Sequence, residues 1–171
     1  MTGDDRRSFA VPRATGEFDG IDLACLDPND EDDRRVLILA EHPELHRALE
    51  AGLTEIHVQG TTMNPALHLA MHEIVANQLW AEDPPEVWET ATRLLASGYD
   101  RHEVLHMLAS VVSDDVYQIL QDQHAPDPDE TRAALAALPD SWERQRDELP
   151  AQQHANRAER RAAARAQRHR R

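Results

Sequence analysis

An all-α fold, a compact bundle of about six short helices, is predicted by three observations. Aromatic residues make up only 4% of the 171-residue chain, so the core must come from Leu, Ala, Val and Met, the material of helix packing rather than of a β-sandwich. An acid or Asn followed by Pro, which marks an N-cap and a first helical residue, recurs at Asp27-Pro28, Asn64-Pro65, Asp83-Pro84 and Asp127-Pro128. The length suits one domain with tails.

Those starts, with His42-Pro43 opening one helix and Asp100 capping another, predict helices near 28–40, 43–52, 65–81, 84–96, 101–122 and 128–137. Between the second and third, Glu55-Ile56-His57-Val58-Gln59-Gly60-Thr61 alternates and turns at Gly, which predicts a small β-hairpin near 55–62. Residues 1–20 hold Gly3, Gly16, Gly20 and Pro12 without a sustained apolar period and read as a flexible N-terminal arm. A helical His-rich domain is expected over 21–137. Beyond it, 138–171 reads as a polar linker and basic tail, both termini being expected to be disordered.

Charge narrows the partners. The formal net charge is −14, yet residues 154–171 carry seven Arg against the single Glu159, so the body is more acidic than the total. An acidic body repels nucleic acid and anionic lipid, leaving weak contact through the Arg-rich tail and an unidentified protein partner as the expected associations. No window reaches the roughly 18 apolar residues of a membrane span, and the N-terminus has acids where a signal peptide would be basic then apolar. A cytoplasmic location is expected. Cys25 stands alone, so any metal must be held by His and carboxylates.

Six of the ten His residues form i, i+4 pairs: His42/His46, His68/His72 and His102/His106. Residues four apart share one helix face and can offer two imidazoles to one ion. With His68 at 0°, His72 falls at about 40°, Leu79 about 20° and Val75 about 340°, inside the apolar arc, while Glu73 falls at about 140° on the polar side. His102 and His106 lie similarly beside Ala109, Val116 and Leu120. Four buried neutral imidazoles would leave donors and acceptors costing about 1 to 3 kcal/mol each if unpaired, and a shared metal satisfies four nitrogens together. His42 stands at a helix N-cap before Pro43, so it either completes a site or caps.

Each pair also has a plainer reading. A single inward His is more often a hydrogen-bonded core residue than a ligand, and a metal-free acidic interaction module is the rival function. The string His102-Glu103-Val104-Leu105-His106 matches H-E-x-x-H, in which two His bind zinc and Glu103 would act as the catalytic base of a hydrolase. Asp100 and Glu103 also have the spacing of a capping box, which accounts for Glu103 without catalysis. The pair Glu103/His106 fits the Glu-x-x-His of carboxylate-bridged di-iron bundles once.

Three strings, H-P-E-L-H at 42–46, N-P-A-L-H-L-A-M-H with Q-L-W-A-E-D-P-P-E at 64–86, and D-R-H-E-V-L-H at 100–106, together resemble a bacterial family catalogued as domain of unknown function 1841. The resemblance runs from about Val36 to Asp122. It implies that His42, His46, His68, His72, His102 and His106 are one constellation. Glu103 departs from the family pattern, as do Ala76 and Asn77 where members carry acids, which speaks against protease and carboxylate-bridged chemistry.

The expected function is a His-rich helical metal-binding protein. Zn or Fe is the expected divalent metal ion, His68, His72, His102 and His106 converge, and His42/His46 form an additional arm. A structural or storage role is favoured over catalysis, because four-His coordination leaves zinc closed.

Overall fold

The computed structural model describes residues 3–58, 61–122 and 125–146, and the described chain is predominantly helical. The described residues up to 136 form one compact unit, and those from 137 to 146 belong to a second. In chain order the first unit runs α1 (Gly3–Ala10), β1 (Glu17–Phe18), β2 (Ile21–Asp22), a 3-10 turn (Leu23–Cys25), α2 (Glu31–Ala40), α3 (Pro43–Glu50), β3 (Ile56–Val58), β4 (Thr61–Met63), α4 (Pro65–Ala81), α5 (Pro85–Ala96), α6 (Arg101–Asp122) and α7 (Pro128–Ala136). In the second unit residues 140–146 are helical. The Arg-rich stretch 154–171 and most of the expected linker lie outside the described residues.

The helix starts follow local chemistry. Asn64 accepts from Leu67 N–H, and Asp100 accepts from Glu103 N–H at 2.9 Å, each closing an orphan donor of a first turn. Two starts fall later than the Asp-Pro signal indicates. Asp30, not Asp27, caps α2 by accepting from Asp32 and Asp33 N–H, while Asp27 instead accepts from Asn29 in the preceding turn. Helix α5 begins at Pro85, with Pro84 in extended geometry before it, because a residue preceding proline is held out of the helical region. The expected hairpin forms as an antiparallel pair, Ile56 opposite Met63 and Val58 opposite Thr61.

The largest departure from expectation is at the N-terminus, where residues read as a flexible arm form α1 and a short hairpin, Glu17 opposite Asp22. Tertiary contacts supply what local sequence lacks. The Arg6 side chain is buried and donates to Leu79 O at 2.6 Å and Trp80 O at 3.3 Å, closing carbonyls that the C-terminus of α4 leaves open. Phe9, Ala10 and Val11 are buried beside it. The helical part thus holds α1, the expected six and the 140–146 segment.

Helices α4 and α6 share the most extensive interface, with α1, α3 and α5 packed around them. Their core consists of Leu69, Val75 and Leu79 from α4, Leu94 from α5, Leu45 from α3, and Val104, Met107 and Leu108 from α6. The apolar arc of α6 was expected to stay inward through Leu120, yet its buried stripe ends at Val112 and Leu120 is 72% exposed. A helix of 22 residues beside one of 17 outruns its partner. No described helix is long and apolar enough to cross a membrane.

Candidate metal centre

Three segments deliver the histidines. The start of α3 carries His42, the first half of α4 carries His68 and His72, and the first turns of α6 carry His102 and His106. His42 occupies the N-cap with φ −126° and ψ 61° and makes no side-chain capping bond. Pro43 holds this residue out of helical geometry, and its ring turns into the interior instead of capping.

Five rings meet. His72 lies at their hub, with centroids 4.5 Å from His42, 4.8 Å from His68, 5.4 Å from His102 and 5.0 Å from His106. The other four close a circuit around it: His42 to His68 at 5.5 Å, His68 to His106 at 5.1 Å, His106 to His102 at 4.4 Å and His102 to His42 at 5.1 Å. Neither diagonal of the circuit, His42 to His106 or His68 to His102, is among these ring contacts. Nitrogens of His42, His68 and His72 lie within 4.8 Å of one another, as do those of His72, His102 and His106.

Burial sets the charge state. His72 is 3% exposed, and burial, reinforced by the neighbouring His42, His68, His106 and His102, lowers its pKa to about 2. Burial likewise lowers His42 to about 4, aided by His102 and His68 and opposed by Glu44. His106 falls to about 4 through burial and its His neighbours, against Asp100. His68 is lowered chiefly by burial. These rings are neutral at physiological pH and each keeps a lone pair for a ligand bond.

The internal hydrogen bonding occupies one of those lone pairs, between His72 and His68, and leaves two other ring nitrogens unmatched. His72 Nε2 and His68 Nε2 lie 3.1 Å apart, one donating to the other according to tautomer. His42 Nε2 and His106 Nε2 are buried without a hydrogen-bond partner, a cost of about 1 to 3 kcal/mol apiece. His42 Nδ1 faces Glu44 Oε1 at 3.8 Å, so the opposite nitrogen is the one directed inward.

His46 is not brought to this cluster. It packs on Phe18 at 4.8 Å with Asp19 and Glu50 carboxylates 3.8 and 3.7 Å from its nitrogens. One turn along α3 from a non-helical N-cap does not reproduce the shared face that two helical residues would have. Glu103 is half-buried, its N–H bound by Asp100 as a capping box requires. Among the described residues, neither triad of the cluster includes a carboxylate, whereas His46 forms a separate, more exposed group with Asp19 and Glu50 whose ligand atoms lie within 4.8 Å of one another.

The remaining positions singled out in the sequence stand elsewhere. Ala76 is buried in the core. Asn77 joins α2 to α4 by accepting from Arg34 and donating to Glu31, and Glu73 pairs with Arg35 at 3.1 Å.

Two supporting groups escaped the sequence reading. Glu44 backs His42, and its only signal was an acid in the first turn beyond His42-Pro43. Arg101 donates to Glu41 Oε2 at 2.8 Å, Phe9 O at 2.6 Å and Ala10 O at 3.0 Å; adjacency to His102 was its only mark. No curated protein and no solved structure matches the chain. The model of the family described as domain of unknown function 1841 matches residues 27–139, and the chain belongs to that family.

Proposed function

We propose that the protein is a metal-binding protein in which His42, His68, His72, His102 and His106 hold one divalent ion, iron in preference to zinc, as a resident centre that ties the helices together. The observation that carries this reading is the pattern of ring contacts. A metal at about 2.1 Å from nitrogen lies about 3.2 Å from a ring centroid, so adjacent ligands would have centroids about 4.5 Å apart and opposite ones about 6.4 Å. A square pyramid has eight adjacent and two opposite pairs. The eight contacts, at 4.4 to 5.5 Å, lie near the former value, and the nitrogens close to within 4.8 Å as two triads joined at His72, so one ion would draw both triads in around that ring.

The donor set bears on nuclearity and identity. Two ions, one on each nitrogen triad, would have to share His72, which requires an anionic imidazolate and places two cations together with no bridging carboxylate. One ion avoids both costs. Structural zinc closes at four ligands, whereas five nitrogens around an octahedron with one free corner suit iron. Storage in quantity is disfavoured by a site for a single ion. Hydrolysis with Glu103 as base is disfavoured because H-E-x-x-H chemistry uses few protein ligands and a free carboxylate at the metal.

The test is elemental analysis and thermal unfolding of untagged protein. One tightly held ion per chain, with a melting temperature that falls on chelation and returns on adding ferrous ion, is expected. Substoichiometric metal together with an unchanged melting temperature after supplementation would leave the His cluster as metal-free packing.

A further inference from the structure

We propose that Asp19, His46 and Glu50 form a second metal site, facing solvent and separate from the buried cluster, which takes manganese(II) or a similar divalent transition ion with water completing its coordination. One imidazole nitrogen and one oxygen from each carboxylate lie within 4.8 Å of one another. The site stands independently of the five-ring centre.

Local structure brings the three groups together. Asp19 and Gly20, with φ of 51° and 78°, make the two-residue turn of the hairpin of β1 and β2, and this turn sets Asp19 beside α3. His46 and Glu50 are four residues apart on that helix and share a face. Phe18 packs edge-on against the His46 ring, centroids 4.8 Å apart, which steadies the imidazole between the two acids.

Their mutual contacts leave the arrangement unbalanced. His46 Nε2 stands 3.8 Å from Asp19 Oδ2, and His46 Nδ1 stands 3.7 Å from Glu50 Oε2, both beyond hydrogen-bonding reach. None of the described arginine ion pairs includes either carboxylate, so two anionic groups approach each other without a guanidinium between them. Glu50 is also the last residue of α3, where the open carbonyls of a helix end disfavour a negative charge. A divalent ion offsets all of this at once. It would take a single nitrogen of the ring, so one carboxylate must swing toward the other, and side chains 66% and 61% exposed are free to do so.

The donor set selects the class of ion. Magnesium and calcium prefer oxygen throughout, whereas two carboxylates with one imidazole suit a divalent transition ion. Three exposed donors hold it weakly, and a chelator able to compete for the buried cluster would strip this site first.

Manganese(II) is the probe, added to untagged full-length protein, with the free ion followed by its EPR signal. One saturable site per chain is expected, its bound signal carrying nitrogen-14 modulation from a single imidazole. Asp19→Asn and Glu50→Gln should each weaken binding by at least about tenfold, and His46→Gln should remove the nitrogen modulation. Glu89→Gln, at an exposed acid on α5, should change binding less than about twofold. Circular dichroism of each variant confirms the fold. Absence of saturable manganese binding overturns the site. Equal weakening by Glu89→Gln also overturns it, leaving only diffuse attraction to an acidic chain. Manganese that survives both carboxylate variants overturns it as well, because the ion then lies in the buried cluster, whose own reading none of these outcomes removes.

Discussion

Arg101 and Glu41 meet at 2.8 Å, each immediately preceding a ring of the cluster, His102 and His42. The ion pair therefore joins the backbone at the start of α6 to that at the start of α3, and the two rings lie 5.1 Å apart. Arg101 also donates to Phe9 O and Ala10 O, so α1 is fastened at the same point. Ring positions drawn from distant parts of the chain are fixed by this junction before any ligand bond forms.

Replacing Arg101 with Met removes three partly buried charge-assisted bonds while retaining most of the side-chain volume. A loss of about 2 kcal/mol is expected, a melting temperature lower by roughly 4 to 8 °C for a domain of this size. Thermal unfolding of the metal-free protein measures it, and a shift within error would show the junction to be idle.

Among single alanine variants, His72→Ala should weaken metal binding most, because its ring touches all four others. A decrease beyond about 100-fold, the upper end for outer-shell partners, is expected from competition with a chromophoric chelator. His46→Ala should change affinity less than about twofold, its ring being engaged with Phe18. Equal losses in the two variants would contradict the geometry.

Glu44→Gln keeps the shape of the side chain and removes the carboxylate behind His42. Such partners orient a ligating imidazole and raise its basicity, so metal affinity should drop by about 10- to 100-fold with the fold intact. Circular dichroism checks the second half of that statement. An unchanged affinity would mean that the 3.8 Å approach carries no function.

The metal-free protein should lose stability on acidification. His42 and His106 have folded-state values lowered to about 4 from 6.5, so the unfolded chain binds more protons below pH 6.5. The stabilisation is complete above about pH 6.5 and is lost as pH falls toward 4. At about 1.4 kcal/mol per pKa unit, the loss for His42 alone is on the order of 3 kcal/mol. Urea unfolding at a series of pH values measures it, and a flat profile across that window would refute neutral burial of these rings.

Much of this was readable from residue order. The i, i+4 spacing on α4 and α6 and the Asn64 and Asp100 caps act within a turn or two, where periodicity and capping rules hold. The pairing rule failed at His46 because His42 is not helical, and a spacing argument presumes a helix through both residues. Helix α1 was illegible for a different reason. Its stabilisation comes from Arg6 on the carbonyls of Leu79 and Trp80, more than seventy positions away, a contact that no local pattern encodes. Leu120 was misplaced because periodicity tells which face is apolar, not where the neighbouring helix ends.

The lone Cys25 denies this chain an internal disulfide, and the three-segment origin of the rings offers another kind of cross-link. An ion held by His42, His68, His72, His102 and His106 would close two successive loops, from α3 to α4 and from α4 to α6, each about thirty residues or fewer. By the chain-entropy relation used for covalent bridges, closing one such loop removes denatured-state freedom equivalent to roughly 3 to 4 kcal/mol. The centre would act as a reversible double staple, released by chelation rather than by reductant.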